Sequence, residues 1–297
     1  MPITRRRFIQ SLSLAAVAPA FAAEAAFKLR YILSSSMYGK ATLEEILIEA
    51  PKIGATHVDL WPKPHGNQRE QLDAMGLDAF EALLAKHKVK LGCLTRYDLG
   101  AFKMADEIKV AQRFGANTIV TGSGGPSGLT GDALKSAVKE LAEKLKPHAE
   151  LAAAAGVTLS IENHGKCLFE SADSLRWFAE FAPAKGASIA LAPYHLPQDS
   201  ALLAKLIEEI GPKLSVFYAW QLGKGCMVAQ PKEDELQQLP GRGPLDFAPL
   251  IAALKKINFQ GWTSIFMHPF PRGLAAVEGG PAKVSEEINR ARKALEM

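Results

Sequence analysis

Residues 157–165 read VTLSIENHG. Thr158, Ser160, Glu162 and His164 fall on one side of this alternating run, and Val157, Leu159 and Ile161 on the other. Such alternation predicts a strand with two unlike faces, closing on a carboxylate and an imidazole in one row. Upstream lies the longest stretch of helical period, GDALKSAVKELAEKLKPHAELAAAAG (131–156), and downstream DSLRWFAEFAP (173–183) resumes that period. The run is therefore a strand between two helices. What matters next is how often the chain repeats that unit.

It repeats eight times. Strands are predicted at 29–33, 56–61, 90–94, 117–121, 158–162, 188–192, 214–220 and 262–266. Between them lie helical stretches such as LEEILIEAPKIG, LDAFEALLAKHK, ADEIKVAQRFG, DSALLAKLIEEIG and FAPLIAALKKI, several stopped by Gly54, Gly115, Gly156 and Gly211. Eight strand–helix units in about 250 residues predict an α/β fold of the (β/α)8 TIM-barrel type. No GxGxxG follows the first strand, which argues against a dinucleotide fold. In a barrel the carboxyl ends of the strands face the reaction site, so Glu162 stands at the rim. The longest interruption, 222–246, falls between the seventh and eighth strands and is expected to be an active-site loop.

The first residues are set apart from this pattern. Thr4-Arg5-Arg6-Arg7-Phe8-Ile9, then SLSLAAVAPAFAA with small residues at Ala20 and Ala22, resembles a twin-arginine signal peptide over 1–22. The barrel then occupies 27–297, and the expected address is periplasmic. The apolar stretch is too short to span a membrane, so no stable insertion is expected. Residues 1–22 hold three arginines and no acid, so their removal leaves 32 basic against 31 acidic residues. A nucleic-acid partner would need a basic face, and none is evident. Cys93, Cys167 and Cys226 have no CxxC spacing and form no disulfide framework. Walker, GxSxG and HExxH patterns are missing too, which leaves nucleotide hydrolysis, esterase and zincin chemistry without an anchor.

VDLW (58–61), IENHG (161–165), PYHL (193–196) and PGRGPLDFAPLIAALKKINFQGW (240–262), in this order, resemble the xylose-isomerase-like TIM-barrel family of sugar isomerases and epimerases. The resemblance runs over nearly all of 27–297. It implies one divalent metal held by a Glu from the fifth strand, an Asp from the sixth, a His or Gln from the seventh and a Glu from the eighth. Glu162 matches the first and Gln221 the third. The usual Asp-x-x-His of the sixth strand is Ala192-Pro193-Tyr194-His195 here, and the eighth strand reads TSIFMH, with His268 as the nearest donor. Glu162, His195, Gln221 and His268 thus form the implied ligand set. One carboxylate, two imidazoles and an amide oxygen suit Zn²⁺, Mn²⁺, Fe²⁺ or Co²⁺ better than Mg²⁺ or Ca²⁺. Alternatively, His195 and His268 hydrogen-bond substrate hydroxyls.

Other rim residues suit a carbohydrate. Trp61 and His65 follow the second strand, where an aromatic face can stack on a sugar and polar groups can bind its hydroxyls. His164 shares the row of Glu162. Arg96 either clamps an anion or pairs with Asp98. GSGGPSG (122–128) reads as a tight connection rather than an anion site. His268 and Arg272 lie on HPFPRG (268–273), a loop that its prolines stiffen. The expected activity is a metal-dependent isomerase, epimerase or lyase acting on a keto-sugar, with Glu162 and His268 as its catalytic residues and a small carbohydrate as partner. Two other classes stay open: a periplasmic sugar-binding barrel without catalysis, supported by the two missing family carboxylates, and a metal phosphodiesterase. The latter needs a cluster of metals, for which seven histidines are few.

Overall fold

A computed structural model describes residues 27–270 and 279–297; the signal stretch and Arg272 lie outside the described residues. The strands are β1 (Arg30–Tyr31), β2 (Leu33–Ser34), β3 (His57–Leu60), β4 (Lys90–Thr95), β5 (Thr118–Gly122), β6 (Thr158–Glu162), β7 (Ala187–Leu191), β8 (Leu214–Ala219) and β9 (Trp262–Ile265). All neighbouring pairs are parallel, in the order β1-β9-β8-β7-β6-β5-β4-β3-β2. The predicted first strand is β1 and β2 together, interrupted at Ile32. Arg30 and Tyr31 register with Trp262 and Thr263 of β9, whereas Leu33 and Ser34 register with Val58 and Asp59 of β3. The chain changes partner within one extended stretch, and that change brings the two ends of the sheet together as a barrel.

The alternation of residues 157–165 has its predicted consequence. Leu159 and Ile161 are fully buried under the surrounding helices, while Ser160 and Glu162 are buried on the other face, inside the barrel. Helix starts are set by side chains that satisfy the first free N–H groups. Thr42 accepts from Glu45 N in a capping box ahead of the helix Leu43–Glu49. Asp199 accepts from the amides of Ala201 and Leu202. Gly54 and Gly115 end their helices in the left-handed conformation, as stop glycines do. Gly211 instead keeps right-handed dihedrals and starts a short 3-10 turn over Gly211–Lys213, with Pro212 inside it. Gly186, just before β7, has no substitute: a Cβ there would lie 1.9 Å from the Ala149 carbonyl oxygen, at φ +76.

The helix after β3 was not legible. Gln68–Met75 follows β3, where the sequence reads as a polar loop. Its buried face is Gln68, Arg69 and Leu72. The Gln68 amide donates to the carbonyls of Gly39 and Ala41 at 3.0 and 2.9 Å, and Arg69 binds the buried Glu107 through two nitrogens at 3.1 and 2.8 Å. Paired polar groups thus take the place of an apolar stripe. The 222–246 segment holds a short helix, Lys232–Glu235, and a turn, Leu236–Gln238, and packs over the carboxyl ends of β8 and β9. Among the described residues no helix is long and apolar enough to cross a membrane.

Candidate active site

At the carboxyl ends of the strands lies a cavity of about 440 Å³, lined by Trp61, His65, Tyr97, Glu162, His164, His195, Trp220, Phe266 and His268, with Gly122, Gly124 and residues 165–167 at its edge. Its walls are aromatic. Trp61 stacks on Phe266 with ring centres 5.0 Å apart, and Trp220 meets Phe266 edge-on at 4.9 Å. Four imidazoles form two pairs: His164 with His195, 4.0 Å between ring centres, and His65 with His268, 4.4 Å. Trp220 meets His195 and His268 at right angles, each with ring centres 5.2 Å apart.

Glu162 ends β6 at the base of this cavity. It is buried, and its Oε2 has no hydrogen-bond partner. Burial pushes its carboxyl well above the usual range, and the Asp59 carboxyl adds to the effect by repulsion. Asp59 is itself buried in the barrel. Its Oδ2 accepts the Trp61 indole N–H at 2.6 Å, and both its oxygens lie 3.0 Å from the Thr95 hydroxyl, which donates to them. Burial raises Asp59 to about 6 despite these bonds. Tyr218 stands beside the two acids. Its hydroxyl, also without a partner, is driven up by burial first and by Glu162 and Asp59 next. A carboxyl made basic by its surroundings, with an oxygen left unbonded, is suited to carry a proton to or from a ligand.

The sequence of VTLSIENHG now has its explanation. Glu162 points inward, His164 lines the mouth, and Asn163 between them faces the barrel wall. The Asn163 amide donates to the Ala192 carbonyl at 3.0 Å and accepts the Ala192 N–H at 2.7 Å. It thereby holds the backbone from which the turn Pro193–His195 carries His195 to the cavity.

Six of the residues singled out in the sequence therefore meet at one cavity: Trp61, His65, Glu162, His164, His195 and His268. Two do not. Gln221 is fully buried behind the wall, where its amide donates to the Leu239 carbonyl at 2.9 Å and its Oε1 accepts the Leu245 N–H at 2.8 Å. The inward phase of β8 belongs to Tyr218 and Trp220, so Gln221 falls on the outer side. Arg96 bonds Asp98 at 3.0 and 2.8 Å and also pairs with Glu107, so it joins the end of β4 to the helix Ala105–Phe114. His57 lies low in the barrel against Trp262, bonded to the Thr56 hydroxyl at 2.8 Å. Sequence reading places Asp59 beside Trp61, and Tyr97 on the rim, without assigning either a role, and gives no place in the site to Trp220 or Phe266. Asp59 and Trp61 do share one side of the second strand's alternation, and so do Ser264, Phe266 and His268 near the eighth.

The metal implied by the resemblance does not fit these residues. Ala192 offers no donor at the end of β7, β9 carries no carboxylate, and the amide oxygen of Gln221 is already used. Among the described residues no group of three or more His, Cys, Asp or Glu side chains is placed to hold an ion.

Comparison with known proteins agrees with the fold. A IolI protein with a bound zinc atom superposes with a TM-score of 0.70, at 13% identity over 90% of this chain and 98% of that one. L-ribulose 3-epimerase gives 0.65 at 16% identity, over 91% and 95% of the two chains. The 3-keto-D-glucoside 4-epimerase YcjR of E. coli gives 0.64 at 14%, over 90% and 100%. No curated protein matches the sequence. The family model described as xylose isomerase-like TIM barrel matches residues 47–294. That match covers most of the barrel, and the chain belongs to the xylose isomerase-like TIM-barrel family.

Proposed function

We propose that this protein is a carbohydrate isomerase or epimerase that moves a proton at a carbon next to a carbonyl. The observation that carries this reading is Glu162: a buried carboxyl with an unbonded oxygen, at the base of a cavity walled by tryptophan, tyrosine and imidazole. The rings of Trp61, Tyr97, Trp220 and Phe266 give the cavity aromatic walls for the CH surfaces of a sugar, and the histidines offer donors and acceptors for its hydroxyls. In its ionised form Glu162 takes the proton, and its raised affinity makes it a stronger base than an exposed carboxylate. His268, across the cavity, delivers or accepts the complementary proton at the carbonyl oxygen. Similarity to epimerase structures supports the same chemistry. No step is routed through a metal, because the donors at hand do not form a ligand set.

Incubating the protein with neutral keto-sugars and keto-glycosides in D₂O, followed by NMR, tests the proposal. Deuterium is expected at the carbon beside the carbonyl of the true substrate. A second reading, a sugar-binding barrel without catalysis, draws on Ala192 at the end of β7 and on the lack of an acid in β9, two strands from which the resemblance leads one to expect carboxylates. Saturable binding of a keto-sugar with no deuterium incorporation would establish that reading instead.

The proposed site of action is the periplasm, on the strength of the arginine pair and the small residues at 20 and 22. Changing Arg5 and Arg6 to Lys is expected to retain the uncleaved protein in the cytoplasm. Normal periplasmic recovery of that variant would remove the twin-arginine assignment.

A further inference from the structure

Gln238 sits on the 222–246 loop and touches none of the cavity, yet it is fully buried and all of its hydrogen-bonding capacity is used. Its Oε1 accepts the Trp220 indole N–H at 2.9 Å and the His268 backbone N–H at 3.1 Å. Its Nε2 donates to the His268 carbonyl at 2.8 Å and to the Glu235 carbonyl at 3.2 Å. The side-chain amide thus pairs with both backbone groups of His268, as a neighbouring strand would, while also gripping Trp220.

Those two residues come from different strands, and their rings cross at 87° in the cavity wall. Neighbouring bonds tie the clamp to the barrel. The Gln238 carbonyl accepts the Gln221 N–H at 3.0 Å, and Glu235 accepts the Phe270 N–H at 3.0 Å through Oε1. We propose that Gln238 is a positioning residue of the active site: its amide sets the crossing of the His268 and Trp220 rings and holds His268 toward the ligand. The same device appears once more across the mouth, where Asn163 pairs with both backbone groups of Ala192 ahead of His195. One amide serves each imidazole pair. The inference rests on His268 and Trp220 facing the cavity, not on the identity of the sugar, so its test needs no substrate.

The experiment is NMR on protein labelled at histidine and tryptophan, with His268 and Trp220 assigned from His268→Gln and Trp220→Phe. In the native protein the Trp220 indole N–H and the His268 amide are expected to exchange with solvent at least 100-fold more slowly than the indole of the half-buried Trp177. Gln238→Met keeps the length and apolar bulk of the side chain but removes its four bonds. It is expected to shift the His268 ring and Trp220 indole signals while those of His57 and Trp262, low in the barrel, stay in place. Gln238→Asn, one methylene short, retains only part of the bonding, so smaller shifts in the same direction are expected. Unmoved His268 and Trp220 signals in either folded variant would overturn the proposal. So would rapid exchange of the two native N–H groups, and that measurement decides the matter if Gln238→Met does not fold.

Discussion

Two clusters of polar side chains inside the barrel, one toward each end, are bonded in different ways. Near the amino ends of the strands, the hydroxyls of Ser160, Ser188 and Ser215 bond one another at 3.0, 2.7 and 2.6 Å, and Ser215 reaches the Ile189 carbonyl as well. At the carboxyl ends, Glu162 leaves one oxygen without a partner, and the Tyr218 and Ser264 hydroxyls are without one too. Burying a polar group unbonded is costly, whereas burying it bonded is close to neutral. The lower ring therefore reads as structure. The upper set bears a cost of burial that its own hydrogen bonds do not fully offset, and a ligand is what would offset it. Satisfaction of hydrogen bonds, rather than polarity, separates these two clusters inside the barrel.

The sharpest way to break this contrast is Glu162→Gln. The amide has the same shape and fits the same space but cannot carry a proton. Loss of a positioned acid–base group costs roughly 10²–10⁴ in rate, so deuterium incorporation is expected to fall by about that factor. Thermal unfolding should remain cooperative. An active Glu162→Gln variant would move the chemistry to the imidazoles and leave the carboxyl without a catalytic role.

The second effect is in pH dependence. Asp59 titrates near 6 in the fold, above its ordinary value of 3.8, so the folded protein holds that proton more tightly than the unfolded chain. Its contribution to stability is therefore present at low pH and is lost as pH rises from about 4 through 6. Comparing the protein with Asp59→Asn isolates the term. The variant is expected to gain on the order of 3 kcal/mol relative to the native protein between pH 3 and pH 8. The same substitution removes the charge that repels an ionised Glu162, so the rising limb of activity against pH is expected to move to lower pH. Parallel stability curves would show that burial does not raise Asp59, and an unmoved limb would show that its charge does not act on Glu162.

How much of this could be read beforehand varied with the kind of interaction. Alternation revealed the strands because each has one face toward helices and one toward the barrel interior, a difference in polarity that sequence records directly. The break at Ile32 was hidden, since it comes from a change of partner between β9 and β3, and pairing leaves no local trace. Gln68–Met75 was hidden because its buried face is polar. The site was legible where a residue ended a strand in the inward phase, as Glu162 does, or stood out as an aromatic or imidazole at the rim. Gln221 was misjudged because resemblance to the family outweighed the phase set by Tyr218 and Trp220. Gln238 gave no signal, and Asn163, although part of the quoted IENHG, gave none of its clamping role. An amide that clamps a distant backbone looks the same in sequence as one exposed to water.

The smallest expected effect tests the closed end. Ser160→Ala removes one hydroxyl from the lower ring but leaves the Ser188–Ser215 bond of 2.6 Å in place. The two remaining hydroxyls still have each other, and Ser215 keeps the Ile189 carbonyl at 3.2 Å. No buried group is stranded, so the loss is that of ordinary hydrogen bonds, about 1 kcal/mol. Ser160 also lies one inward position below Glu162 on the same strand, which makes the variant a control for the upper end. If the two ends are independent, deuterium incorporation and its pH profile should match the native protein while the denaturation midpoint drops slightly. A shift in the pH profile would mean that the serine ring communicates with Glu162 through β6, and the division between a structural and a working end would have to be redrawn at that strand.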